Sequence, residues 1–141
     1  MEKTKVLFLC TNNSARSQMA EGLLRHLAGA RFEVMSAGTV ATQVRPLAVR
    51  AMEELGIDIS SHESTNMARY LGEAFDYVIT VCDEANEACP FFPHAAERLH
   101  WSLPDPAAAE GTEEERLEVF RSVRDRLRDH ISGELVNGKG G

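Results

Sequence analysis

The stretch Cys10-Thr-Asn-Asn-Ser-Ala-Arg16-Ser17 sets a cysteine ahead of an arginine in a short polar run, a pairing suited to nucleophilic attack on a bound oxyanion. A loop between a strand and a helix can turn successive backbone N–H groups inward as a nest, and the helix N-terminus adds the positive end of its dipole. The amides of Thr11, Asn12, Asn13, Ser14, Ala15 and Arg16 are the candidate oxyanion binders. The Arg16 guanidinium adds a planar fork that matches a tetrahedral anion. Such surroundings favour the thiolate of Cys10 over the thiol, and Ser17 can donate a hydrogen bond to the sulfur. The plainer reading is a small buried cysteine at a strand end and a surface arginine. The strand before the loop and the amphipathic helix after it weigh against that.

Two further cysteines, Cys82 and Cys89, admit several chemistries. Cys82 closes an apolar run, as Cys10 does, so both thiols are expected at the carboxyl edge of one sheet, where open α/β folds bind ligands. If residues 83–89 are helical, Cys82 and Cys89 stand about 10.5 Å apart along the axis. A disulfide tolerates Cα separations of only about 4.4 to 6.8 Å, so the segment has to unwind before the two can bond. Asp83-Glu-Ala-Asn-Glu-Ala88 has no large apolar side chain to anchor it, which permits that opening. The alternatives are two inert core thiols, or half a zinc site with His94 and His100. The zinc reading lacks the usual close cysteine spacing, so no metal is expected. Asp105-Pro106, in a polar loop after Trp101, is either a general acid or a turn. His26, His62, His94, His100 and His130 show no partner pattern; His62 reads as a surface or turn histidine and Glu21 as an exposed helix position.

The elements that must position these groups alternate along the chain. Lys5 to Cys10 reads as a buried parallel strand, and Arg16 to Leu27 as a helix with Met19, Leu23, Leu24 and Leu27 at helical spacing. Phe32 to Ser36 is a second strand. Pro46 opens a second helix carrying Leu47, Val49, Met52 and Leu55, with Gly56 after it. Asp76 to Cys82 is a central strand and Arg98 to Trp101 a short fourth. Leu117, Phe120, Val123, Leu127 and Ile131 stripe a last helix. This alternation implies an α/β domain with a four-stranded parallel sheet and helices on both faces. A single domain over 1–141 is expected, ordered over about 4–132 with 133–141 as a flexible tail.

Composition sets the surroundings. The chain has 141 residues, 43% apolar and 26% charged, which suits one soluble globular domain. No apolar run approaches the roughly 18 residues of a membrane span, and no secretory signal opens the chain, so a cytoplasmic protein is expected. The net charge of −7 disfavours nucleic acid and anionic membrane as partners. It is uneven: residues 1–70 carry eight bases and seven acids, residues 71–141 seven bases and fifteen acids. Three cysteines in such a chain do not form a disulfide framework.

Cys10 to Gly22, CTNNSARSQMAEG, resembles the phosphate-binding loop of the low-molecular-weight protein tyrosine phosphatase fold, and most nearly that of its thioredoxin-coupled arsenate reductases. Ser36-Ala-Gly38, Asp58-Ile-Ser60 with His62, Val81-Cys82 and Asp105-Pro106 fall in that family's order, so the resemblance spans about residues 4–131. It implies a flavodoxin-like three-layer fold. It also implies arsenate reduction by a relay in which Cys10 attacks arsenate, Cys82 attacks Cys10, and Cys89 attacks Cys82, with Arg16 and Ser17 serving the nucleophile and Asp105 as the acid. The resulting Cys82–Cys89 disulfide would pass to thioredoxin, with no tightly bound cofactor. Phosphate or sulfate would compete for the loop. The rival reading is a phosphatase working through a Cys10 phosphocysteine, alone or as a side activity; a non-enzymatic arsenite- or metal-binding thiol protein is the third.

The departures from the family are specific. Ala107-Ala-Ala109 follows the acid where phosphatases place aromatics, which favours a small inorganic oxyanion. Asn12 stands in place of a glycine, and asparagine tolerates positive φ. Ala15 replaces a common cysteine. Some reductases bind potassium near the equivalents of Asn13, Glu21 and Ser36, with an aspartate where Thr65 stands; losing that carboxylate argues against potassium here. A monomer is expected. Asp83, Glu84 and Glu87 are candidates for docking a reductant, or are merely solvated.

Overall fold

The computed structural model describes residues 3–83 and 88–137. Four strands form one parallel sheet in the order β2-β1-β3-β4: β1 (Thr4–Cys10), β2 (Phe32–Gly38), β3 (Phe75–Thr80) and β4 (Ala95–His100). Three α-helices accompany them, α1 (Arg16–Ala28), α2 (Pro46–Glu53) and α3 (Glu113–His130), with single 3-10 turns at Met67–Tyr70 and Pro106–Ala108. The expected flavodoxin-like α/β architecture is present.

Strand alternation divides the core. Val6, Phe8 and Cys10 of β1 face one way, into the large cluster that holds Met19, Leu23 and Leu24 of α1, Leu47 and Met52 of α2, and Phe120 and Leu127 of α3. Leu7 and Leu9 face the other way, against Phe75, Val78 and Phe92, with Met67 and Tyr70 packed beside them. Both faces are therefore covered, but unequally: the three α-helices share one core, while the second face is closed by the Met67–Tyr70 turn and the Phe92 segment.

The edge strand departs from expectation. It starts at Ala95, and Trp101 only extends the ladder through its N–H to Thr80 O at 2.9 Å. β4 is mostly exposed and polar, so it has no apolar alternation to read. Regular pairing of β3 ends at Thr80, and Val81 continues it by one bond to Leu9 O. At the start of α3, Thr112 accepts from the Glu115 N–H while Glu115 accepts from the Thr112 N–H, a capping box. The expected tail from 133 is ordered further: Ile131–Val136 continue as a wide helical turn with Leu135 fully buried, and Glu134 accepts from Trp101 Nε1 at 3.1 Å. Residues 138–141 lie outside the described residues.

Helices α2 and α3 are tied by ions as well as by apolar contact. Arg124, almost fully buried, donates to Ala51 O at 2.7 Å and to Glu54 at 2.8 Å, and Arg121 also bonds Glu54. Hydrogen bonds from Arg121 and then Arg124 hold the Glu54 carboxyl down at about 2.

Candidate active site

The parallel sheet delivers the ends of β1 and β3 side by side. Leu9 pairs with Thr80 in register, so Cys10 at the end of β1 and Cys82 two residues past the end of β3 sit at the same carboxyl edge, as expected. From Cys10 the chain turns through residues 11–15 into α1, and the orientation of this loop can be read from its carbonyls. Thr11 O accepts from Val40 N–H, Asn12 O from the hydroxyls of Thr42 and Ser64, Ser14 O from Arg45 N–H, and Ala15 O from Met19 N–H. In a trans peptide the next N–H points opposite its carbonyl. The amides of Asn12, Asn13, Ala15 and Arg16 are thus turned away from those partners, toward the concave side. The Asn13 N–H makes this explicit by donating to Cys10 Sγ at 3.2 Å.

Close approach underlies the loop's position. A Cβ on Gly38 would lie 2.7 Å from Thr11 O and 2.8 Å from Asn13 N, so only glycine fits beneath the turn. The positive φ sits at Asn13 (49°), not at Asn12 as the sequence suggests. Four side-chain bonds hold Asn13 there, two local and two long-range. Its Oδ1 accepts from Thr65 N–H (2.7 Å) and Gln18 Nε2 (3.0 Å), and its Nδ2 donates to Ser17 Oγ (2.7 Å) and Ser36 Oγ (3.0 Å). Because Ser17 Oγ accepts from Asn13, its own proton is directed toward Cys10 Sγ, 2.9 Å away. Cys10 is a free, buried thiol.

Arg16, buried at 3% exposure, reaches the acid loop. It donates to Leu103 O at 3.2 Å and lies 4.0 Å from Asp105. Asp105 caps the Pro106–Ala108 turn through Ala107 N–H, as the turn reading expects. The loop and Asp105 are brought together across the length of the chain by this arginine. A cleft of about 500 Å³, lined by Asn12, Thr42, Gln43, Val44, Arg45 and Pro46, adjoins the loop from outside.

Cys82 and Cys89 are joined in a disulfide with Cα atoms 5.9 Å apart. That separation lies within the range a disulfide tolerates, and the expectation that a helical 83–89 must unwind before the pair bonds falls on a segment whose middle lies outside the described residues. Residues 84–87, and with them the docking reading of Glu84 and Glu87, lie outside the described residues. His100 joins the two cysteines in one cluster, whereas His94 instead packs edge-on against Phe92. With the sulfurs bonded to each other, this cluster holds no open metal-ligand set.

Sequence reasoning missed Gln18 and undervalued His62 and Glu21. Gln18, fully buried, donates to Asn13 and to Glu63 O, and its Oε1 lies 3.1 Å from His62 Nδ1. Burial, opposed by Glu21, lowers the pKa of His62. Glu21 accepts from Ser36 Oγ at 2.5 Å and pairs with Arg25 at 2.7 Å rather than facing solvent. The residues that would hold potassium do not fit it here. Both acceptor sites of Asn13 Oδ1 are taken by N–H donors, and Glu21 is neutralised by Arg25. The signal available in the sequence was the polar run of Gln18 and Glu21 on the helix that the loop feeds.

Residues 5–137 match the family described as low molecular weight phosphotyrosine protein phosphatase. The chain belongs to that family. Within it, the chain is 47% identical over 139 residues to an arsenate reductase of Halalkalibacterium halodurans, covering 99% of this chain and all of that one. The structure of an arsenate reductase in the phosphate-binding state superposes with a TM-score of 0.81 at 34% identity, covering 95% of this chain and 98% of the other. A thioredoxin-dependent arsenate reductase of Corynebacterium glutamicum gives 0.68 at 31% identity, covering 96% of this chain and 63% of that one. Within the phosphatase family, the relatives named for arsenate reduction thus match this chain over nearly its whole length. No helix among the described residues is long and apolar enough to cross a membrane.

Proposed function

We propose that this protein reduces arsenate to arsenite by a three-cysteine relay. The observation that carries the reading is the coexistence of a free Cys10 inside an oxyanion-shaped loop with a Cys82–Cys89 disulfide on the same sheet edge. This is the state such a relay leaves behind. Cys10 thiolate attacks As(V) held by the loop amides and Arg16, while Asp105 protonates the departing oxygen. Cys82 thiolate then attacks Cys10 Sγ. The S–S bond forms as the S–As bond breaks, its electron pair goes to arsenic, and arsenite leaves. Cys89 attacks Cys82 next, freeing Cys10 as thiolate, and the Cys82–Cys89 disulfide is reduced by an external dithiol. Both electrons come from thiols, so the relay needs no tightly bound cofactor.

Thioredoxin is the proposed dithiol, supported by the Corynebacterium relative named for that dependence. A cytoplasmic, monomeric protein is the setting in which a free nucleophilic thiol stays reduced. Arg25, covalently supplied, takes the place of a monovalent cation beside Glu21. The alanines after Asp105 support a small inorganic substrate, since no aromatic there flanks an aryl ring. The family's phosphatase chemistry needs Cys10, Arg16 and Asp105 alone, and a weak phosphomonoesterase activity is expected beside the reductase.

Arsenite production with thioredoxin, its reductase and NADPH tests the relay. Cys89→Ser should lose multiple turnover while keeping hydrolysis of p-nitrophenyl phosphate. Unimpaired arsenate turnover in Cys89→Ser would sink the relay.

A further inference from the structure

The two sulfurs of the disulfide and one ring nitrogen of His100 all lie within 4.8 Å of one another. The register of the sheet explains why. His100 ends β4 opposite Thr80 of β3, and Cys82 lies two residues beyond Thr80. The chain then returns at Cys89 to help line a pocket of about 270 Å³ with Thr80, Phe91, Arg98 and His100. The ring is held by a 2.7 Å contact between Nδ1 and Thr80 Oγ1.

Exposure divides the labour among these groups. Cys82 is fully buried, so a thiolate released there has little water to stabilise it. Cys89 is only partly buried and is the sulfur that an incoming dithiol reaches. His100 is exposed, so its ring can exchange protons with solvent. Arg98 lines the same pocket from the same strand, its guanidinium bonded to Phe92 O and Pro93 O, and Asp83 follows Cys82 in the chain; these are the neighbouring charged groups.

We propose that His100 is the acid–base residue of the Cys82–Cys89 thiol–disulfide exchange. It deepens the relay reading and rests on it for the direction of the steps. When the pair forms, His100 takes the proton from the Cys89 thiol, and the resulting thiolate attacks Cys82 Sγ and expels Cys10 thiolate. When the pair is reduced, a dithiol thiolate attacks Cys89 Sγ and forms a mixed disulfide. The S–S bond to Cys82 breaks, its electron pair stays on Cys82, and the imidazolium of His100 delivers a proton to that sulfur. The second thiol of the reductant then displaces Cys89 and closes the reductant's own disulfide. Two electrons and two protons pass from dithiol to protein.

The test reduces the oxidised full-length protein with dithiothreitol, which keeps thioredoxin out of the assay. Rate constants are divided by the thiolate fraction of the reagent and followed from about pH 5 to 8, the window in which imidazoles change charge. A leaving thiolate stabilised by roughly two pK units departs about tenfold faster, taking a sensitivity like that of the attacking thiol. The corrected wild-type constant should therefore fall about tenfold as pH rises through the imidazole titration. His100→Gln keeps a polar end against Thr80 but cannot carry the proton, and should be flat at the lower value. Added imidazole should restore the rate of His100→Ala and leave wild type unchanged. The same pH profile in wild type and His100→Gln, or no rescue by imidazole, would overturn the role of His100. Failure of the relay itself would read differently, as an oxidised protein in which mass mapping finds Cys82 and Cys89 unlinked.

Discussion

Asn13 is the residue on which the loop geometry can be tested most severely, because it meets a backbone demand and a hydrogen-bonding demand at once. Replacing it by alanine removes all four side-chain bonds. The hydroxyls of Ser17 and Ser36 can rotate to other partners. The Thr65 N–H loses its acceptor, and Gln18 Nε2 keeps only the carbonyls of Asn13 and Glu63. Those two carbonyls satisfy the two hydrogens of the Gln18 amide, so one donor, the Thr65 N–H, is left short at about 1 to 3 kcal/mol. Alanine at φ 49° adds about 1 kcal/mol of backbone strain. The sum, about 2 to 4 kcal/mol, is a large share of a total stability of roughly 5 to 15 kcal/mol. Asn13→Gly suffers the same lost bonds without the strain, so it should be the more stable of the two by about 1 kcal/mol, the reverse of their order in a helix. Urea denaturation of the two variants and wild type measures both differences. Hydrolysis of p-nitrophenyl phosphate should fall about 10- to 100-fold in Asn13→Gly, since Ser17 loses the contact that directs its proton to Cys10. An Asn13→Ala variant more stable than Asn13→Gly would refute the backbone argument. Wild-type hydrolysis in Asn13→Gly would refute the side-chain argument.

Two other outcomes follow from charges the fold fixes in place. Glu54 falls from an ordinary 4.5 to about 2 on folding, so its carboxylate stabilises the native state above about 4.5, and that contribution fades as pH drops toward 2. Thermal melts across that window should show wild type losing stability more steeply than Glu54→Gln, with the variant less stable at neutral pH; parallel curves would rule out the carboxylate's part. Arg25 beside Glu21 predicts a reductase indifferent to the identity of the alkali cation. Turnover in potassium and sodium chloride at equal ionic strength should agree, and a stimulation specific to potassium would count against Arg25 as the resident cation.

What could be read from the sequence, and what could not, separates by the range of the interactions involved. The loop from Cys10 to Arg16 was legible because strand, turn and helix are consecutive and each has a local signal. Asp105 could be named, but its approach to Arg16 is a tertiary fact across 89 residues. The support of Asn13 by Thr65, and of Gln18 by Glu63 and His62, arises when residues 57–66 fold back over α1; these bonds join positions 44 to 52 apart. No local pattern marks such pairs. Asparagine's tolerance of positive φ is legible, but its place is not: Asn12 takes the glycine's position in the resemblance, whereas the bonds from Thr65 and to Ser36 single out Asn13. The extent of β4 was hidden by its place at the sheet's edge, where polar residues replace apolar alternation. The state of Cys82 and Cys89 depends on electrons, which composition does not record.

The strand order of the sheet has a consequence for traffic through the molecule. Cys10 ends β1, Cys82 follows β3, and Cys89 lies against His100 at the end of the outermost strand, β4. Neighbouring strands lie about 4.8 Å apart, so the proposed relay advances sideways along the sheet edge, one strand at a time, from centre to rim. Oxidant and reductant then have separate doors. The oxyanion bowl can stay narrow and positively charged for a small tetrahedral anion, while the rim presents a disulfide to a partner too large ever to enter the bowl.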